Sequence, residues 1–317
     1  MRHTFMVLAA AAACSVTLVG QATLNVTRVQ GNVYMISGAG ANITVQTGPG
    51  GVLLVDTPPA ALAPAVLAEI RKLSDRPLRY IINTSVNADY SGGNAALAVP
   101  PGTRGTGAAP FGFVGLGRPS IIAQENVLNR LAVPPPGTPA TPGAGLPTTT
   151  YYMPTMDFSS NGEAVILYHQ PNAHTDSDSV VLFRESDVIS TGALFTPGRY
   201  PVIDLARGGS VQGLVLALTD VLALAVPEAF AEGGTKIIPG RGRICEETDV
   251  AEFRDMVAII RDRVQDLINK KQTLDQVKAA RPSRDYDREY GASQADADRF
   301  VEIVYRSLTQ PRPGGRS

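Results

Sequence analysis

INTSVNADYSGGN, from Ile82 to Asn94, joins two different kinds of sequence. LRYIINT, which runs into it, is largely apolar, as a strand buried on both faces must be. Gly92-Gly93-Asn94 then turns the chain into a helix. Ser85, Asn87, Asp89 and Tyr90 lie between, so a polar loop is held between a buried strand and a helix.

Upstream of that loop, NVYMISG, ANITVQTG and GVLLVDT are alternating or β-branched runs separated by Gly-rich turns, the pattern of antiparallel hairpins. Leu62, Val66, Leu67, Ile70 and Leu73 predict a helix from Pro59 to about Leu73. Downstream come SIIAQ, a short helix ENVLNRL, and a stretch from Val133 to Thr150 dense in Pro, Gly and Thr, which reads as a mobile surface loop. EAVILYHQ, SVVLFRES, DVISTG and TKIIPG repeat the strand theme in the second half. VQGLVLALTDVLALAV reads as a buried core helix, since it is short for a bilayer and carries Asp220 centrally. From Thr248 the chain is amphipathic: Phe253, Met256, Val257, Ile260, Val264, Leu267 and Ile268 form one helical stripe, and Phe300, Val301, Val304, Tyr305 and Leu308 form another. Strands packed together with helices outside, twice over, point to two sheets covered by helices on both outer faces.

Residues 1–22 read as a secretory signal, with Arg2 and His3 before an apolar run from Phe5 to Val19 and a cut after Ala22. The mature chain is therefore expected to be exported, periplasmic or extracellular, with no transmembrane span; a lipid anchor on Cys14 is the minority alternative. Removal of the signal leaves Cys245 as the one thiol, so no intrachain disulfide forms and stability must come from the core. About 295 residues at 44% hydrophobic content suffice for that. The net charge is -1 and no run of Lys and Arg could track phosphates, so nucleic acid is not expected as a partner.

Five segments, in order from about Asn32 to Ile244, are similar to the metallo-β-lactamase superfamily: GVLLVDT, INTSVNADYSGGN, PNAHTDSDSVVLF, VISTGALF and IIPGRGRI. The resemblance implies an α/β (α+β) fold, the four-layer αββα sandwich. It also implies a domain over 23–272 and a C-terminal helical extension, 273–317, packed on the same domain. In that family the loop matching Ser85–Tyr90 reads His-x-His-x-Asp-His and binds zinc. The first zinc would sit at Ser85, Asn87 and His174, and the second at Asp89, Tyr90 and Arg241, with a bridging aspartate at the position of Ala193. Asp56 and Asp178 would support these positions. Each zinc site thus keeps one ligand, His174 or Asp89.

Zinc needs at least three protein ligands in ordinary sites. A four-ligand site worth ~10–16 kcal/mol gives each ligand roughly 3–4, so one ligand cannot hold the ion. No metal or other cofactor is therefore expected. Arg241 cannot lose its proton and would repel a cation, and it is expected to pair with Asp89 or Asp176 in the metal's place.

Other chemistries are open to the same residues. His174 with Asp176 could form a base and its orienting carboxylate, or a relict loop bonded to itself. Asp56, Asp89, Asp176 and Asp178 could hold a hard cation, which Arg241 opposes. Ser85 could be a nucleophile with His174 as base, without the support of a nucleophile elbow. Cys245 could be reactive, though nothing in its sequence surroundings lowers its pKa. Tyr90 reads as filler for the vacated volume and His169 as structural. The leading reading is a pseudoenzyme whose former active-site groove binds a small molecule or a protein. The alternative is a hydrolase of esters, thioesters or lactams working without zinc or with a rebuilt metal site.

Overall fold

A strand sandwiched between a second sheet and a layer of helices needs apolar side chains on both of its faces. GVLLVDT and LRYIINT supply them, and alternate residues go opposite ways. Leu53, Val55 and Ile82 point between the sheets, whereas Val52, Leu54 and Ile81 point outward to helices. In the computed structural model, which describes residues 23–99, 118–230 and 233–310, this alternation builds four layers. The proposed signal, with Cys14, lies outside those residues.

The first sheet holds β1 (Asn25–Gln30), β2 (Val33–Ser37), β3 (Ile43–Gln46), β4 (Val52–Val55), β5 (Leu78–Asn83), β6 (Ser120–Gln124) and β7 (Thr149–Tyr151) side by side in chain order. Pairing is antiparallel from β1 to β4 and parallel from β4 to β7. The second sheet contains β8 (Thr155–Ser160), β9 (Glu163–Gln170), β10 (Asp178–Phe183), β11 (Val188–Ser190) and β12 (Lys236–Ile238), in spatial order from β8 to β12. Its pairs are antiparallel except β11–β12. Val165, Leu167, Val181 and Phe183 meet the first sheet's inner face and make the central core.

Helices α1 (Ala63–Leu73), α2 (Ala88–Ser91), α3 (Asn94–Ala98) and α4 (Glu125–Ala132) follow strands of the first sheet. Val66 and Ile70 of α1 and Leu97 of α3 cover its outer face. α1 starts later than Pro59, after a 3₁₀ turn at Ala60–Leu62. Pro64 explains the delay: without an N–H it fits only the first turn of a helix.

On the other side α5 (Val211–Leu224), α6 (Glu247–Asn269), α7 (Leu274–Ala279), α8 (Asp287–Tyr290) and α9 (Gln294–Thr309) cover the second sheet. Leu214, Leu218 and Val221 bury the apolar face of α5 while Asp220 is exposed, as a core helix requires. None of the helices among the described residues is long and apolar enough to cross a membrane. Val250, Phe253, Val257, Ile260 and Val264 form the buried stripe of α6, and Phe300, Val301 and Val304 of α9 pack in the same cluster. The stretch after Val133, expected to be a mobile loop, is fastened at its far end. Gly145 is buried, its carbonyl accepts a bond from Asn94, and β7 follows directly.

Candidate functional site

The loops after β4, β5, β11 and β12 meet the hairpin between β9 and β10, and these bring the sequence-selected residues together. Their frame is set by two asparagines at the ends of the quoted stretch. Asn83 and Asn94 donate to each other's side-chain oxygens at 3.0 and 2.7 Å, and Asn83 also holds the Tyr90 carbonyl. Gly93 is required here, because a Cβ on it would lie 2.5 Å from the Pro58 carbonyl.

Asp56 ends β4 in the left-handed region (φ 67°) and is buried. Its carboxylate accepts the Thr84 amide at 2.7 Å and the Thr84 hydroxyl at 2.7 and 2.9 Å. Burial pushes its pKa up to about 7 against those bonds, which favour the charged form. Asp178 accepts the Thr175 amide at 2.6 Å and the Thr175 hydroxyl at 3.0 Å, and burial pushes it up to about 6. The Ser85 hydroxyl is buried beside Asp178, whose charge it favours, yet it has no partner in full hydrogen-bonding geometry.

Asn87 and His174, two positions that the resemblance assigns to the first zinc site, are bonded to each other. His174 Nδ1 lies 2.6 Å from the Val202 carbonyl, which can only accept, so the network places the ring proton there. Its Nε2 then accepts the Asn87 amide at 2.6 Å. Arg207 fixes the amide's orientation by donating to Asn87 Oδ1 at 2.8 Å, and the same Arg207 nitrogen bonds Asp204 at 3.1 Å. At the positions assigned to the second zinc, Arg241 pairs with Asp89 and donates to the Gly40 carbonyl at 2.5 Å. Tyr90 is buried, with its hydroxyl against Gly240, and burial raises its pKa. Ala193 stands in the 3₁₀ turn Gly192–Leu194 and offers no carboxylate.

The residues present do not fit zinc. Among the described residues no three His, Cys, Asp or Glu side chains converge, and the Nε2 lone pair of His174 and the carboxylate of Asp89 are both engaged.

Four alternatives that the sequence left open lack the contacts they need. His174 and Asp176 do not form a dyad: Val202 orients the ring, and Asp176 is held by Arg130 through two bonds of 3.0 and 2.6 Å. Asp56, Asp89, Asp176 and Asp178 do not gather around a cation, because each is bonded to a different partner. Ser85 is not bonded to His174, whose acceptor nitrogen Asn87 occupies. Cys245 is buried, and burial pushes its thiol up to about 12, the reverse of an activated thiolate. His169 bonds the Asp176 carbonyl at 3.0 Å and holds the hairpin.

Sequence reasoning missed Arg130, Asp204 and Arg207. The one signal was Gly208-Gly209, since a Cβ on Gly209 would meet the His174 carbonyl at 2.2 Å. A glycine pair after an arginine marks close backbone approach without saying to what. These three side chains line a cleft of about 670 Å³ next to Asn87, roofed by residues 133–135 and 138–142 of the Pro-rich stretch.

Among solved structures, a metallo-β-lactamase from Pontibacter korlensis superposes with a TM-score of 0.57 at 14% identity, covering 74% of this chain and 99% of its own. The chain has the metallo-β-lactamase fold. The stereoselective inverting sec-alkylsulfatase Pisa1 from Pseudomonas sp. shares that fold more extensively, with a TM-score of 0.63 at 17% identity over 90% of this chain. This chain spans about half the length of the alkylsulfatase, since 50% of that protein is covered. The DIM-1 metallo-β-lactamase matches with a TM-score of 0.55 at 15% identity, over 74% of this chain and 97% of its own. No protein-family model matches the sequence, and no curated protein does.

Proposed function

We propose that this protein is a pseudoenzyme of the metallo-β-lactamase fold, exported on the strength of residues 1–22, that binds a small molecule in the cleft beside Asn87. One observation carries the reading. The Nε2 atom of His174, kept from the first zinc site, accepts a hydrogen bond from the residue that replaces another ligand. Arg207 locks that residue in place. An N–H thus takes the lone pair a metal would use, and a guanidinium stands behind it where a second cation would be repelled. Arg241 does the same for Asp89. The cleft of about 670 Å³ lies inside the range of roughly 300–1,000 Å³ typical of small-molecule sites.

The test is metal content by inductively coupled plasma mass spectrometry, on tag-free protein expressed with excess zinc and dialysed without chelator. It is joined to hydrolysis assays on β-lactams and sec-alkyl sulfates, the activities named for the structural neighbours. Metal far below one ion per chain and no turnover above the buffer rate are expected. A tightly held ion, or turnover abolished by EDTA, would overturn the proposal.

A further inference from the structure

The two guanidiniums that line the cleft are closed on one side and open on the other. Arg130 uses Nε and Nη2 on Asp176, and Nη2 also reaches the Arg207 carbonyl at 3.3 Å. Arg207 uses Nη1 alone, on Asn87 and Asp204. Among the described residues, Arg130 Nη1 and Arg207 Nε and Nη2 have no protein acceptor. Both oxygens of each paired carboxylate are already bonded, since Asp204 also accepts the Arg207 amide at 3.1 Å. At these two ion pairs the unfilled groups are therefore donors rather than acceptors. The lining also includes the apolar Pro134, Pro139, Leu131 and Ala95.

We propose that the cleft binds a small organic acid, its carboxylate on the open N–H edges of Arg130 and Arg207 and its apolar body under the proline roof. A carboxylate offers two acceptor oxygens to guanidinium donors that line the same cleft. An inorganic oxyanion would leave most of about 670 Å³ empty. A neutral body of the same shape would leave the charged donors short of acceptors, which costs binding. The inference rests on the metal-free reading of the site.

The test is isothermal titration of the full mature chain with 4-phenylbutanoate and with its isosteric neutral amide, each with and without EDTA. Saturable binding of the acid is expected, about tenfold or more tighter than the amide. Arg207→Gln and Arg130→Gln are expected to remove that preference. Ala140→Trp, on the exposed roof, fills the cleft without touching either arginine, and should abolish binding while the melting temperature is unchanged. Equal binding of acid and amide, no binding of the acid, or binding that survives Ala140→Trp would overturn the inference and leave the metal-free reading standing. Acid binding that EDTA abolishes would overturn both, because a metal would then be holding the carboxylate.

Discussion

Asn87 joins a guanidinium to an imidazole through one side-chain amide, and only one orientation of that amide serves both. Removing it in Asn87→Ala leaves the buried Nε2 of His174 without a donor, so a loss of about 1–3 kcal/mol is expected in urea unfolding. Arg241→Ala is expected to cost less than about 1 kcal/mol by the same measurement, because the Arg241–Asp89 pair is more than a third exposed and solvent screens it. The order of the two losses is the informative result, since a larger effect at Arg241 would mean that the second site dominates the local structure. Two other carboxyls act through pH. Asp56 and Asp178 hold their protons to about 7 and about 6 when folded, against an ordinary value of 3.8. Their contribution to stability is complete below that ordinary value and is lost as pH rises through 6 and 7. The melting temperature should therefore fall from pH 5 to pH 8, and Asp56→Asn, which can still accept the Thr84 amide, should flatten that fall. A parallel pH profile in wild type and variant would show that Asp56 ionises normally.

At the scale of elements, the loop between β11 and α5 makes the site and the C-terminal helices hold that loop. Tyr200 stacks on Phe300 of α9 with ring centroids 4.8 Å apart, and its hydroxyl donates to Asp287 of α8 at 2.9 Å. Its amide also bonds the Tyr290 carbonyl at 3.0 Å. A few residues further on, the same loop supplies the Val202 carbonyl, Asp204 and Arg207. Tyr200→Phe keeps the stacking and removes the hydroxyl, so global stability should drop by about 0.5–1.5 kcal/mol. Hydrogen exchange at the Asp204, Arg207 and Gly209 amides should accelerate by more than the global change. Exchange that tracks global stability alone would mean that the loop needs no clamp. This coupling explains why part of the site was illegible. Ser85, Asn87, Asp89, His174 and Arg241 were found because they fall at positions that match the ligand segments of the superfamily the sequence resembles. Arg207 reaches Asn87 across 120 residues of chain through an irregular loop, and periodicity carries no information about such a loop. Strands such as VILY and VVLF were readable as continuous apolar runs, whereas β1 and β8, with charged or exposed residues along them, were not.

Taken as a whole, the molecule is one sandwich whose outer helical layer includes its C-terminal part. Val277, Tyr290, Phe300, Val301 and Val304 lie in the same buried cluster as Phe253 and Ile260 of α6. A chain ending at residue 272 would open that cluster to water, and losing even one buried aromatic costs about 3–5 kcal/mol. Such a truncated chain is expected to be unfolded or aggregated by circular dichroism and size-exclusion chromatography. A soluble, cooperatively melting product would make the last helices an independent appendage. The alternation of apolar residues made the four layers legible; the contact between distant loops depended on packing that no local pattern records. Arg241, at a position the resemblance assigns to a zinc ligand, has one more consequence. A cation drawn from solution stabilises by mass action, so the folded fraction rises and falls with its concentration. Guanidiniums are delivered by the ribosome in fixed stoichiometry, so on the proposed metal-free reading the folded fraction should be the same where zinc is scarce and where it is abundant.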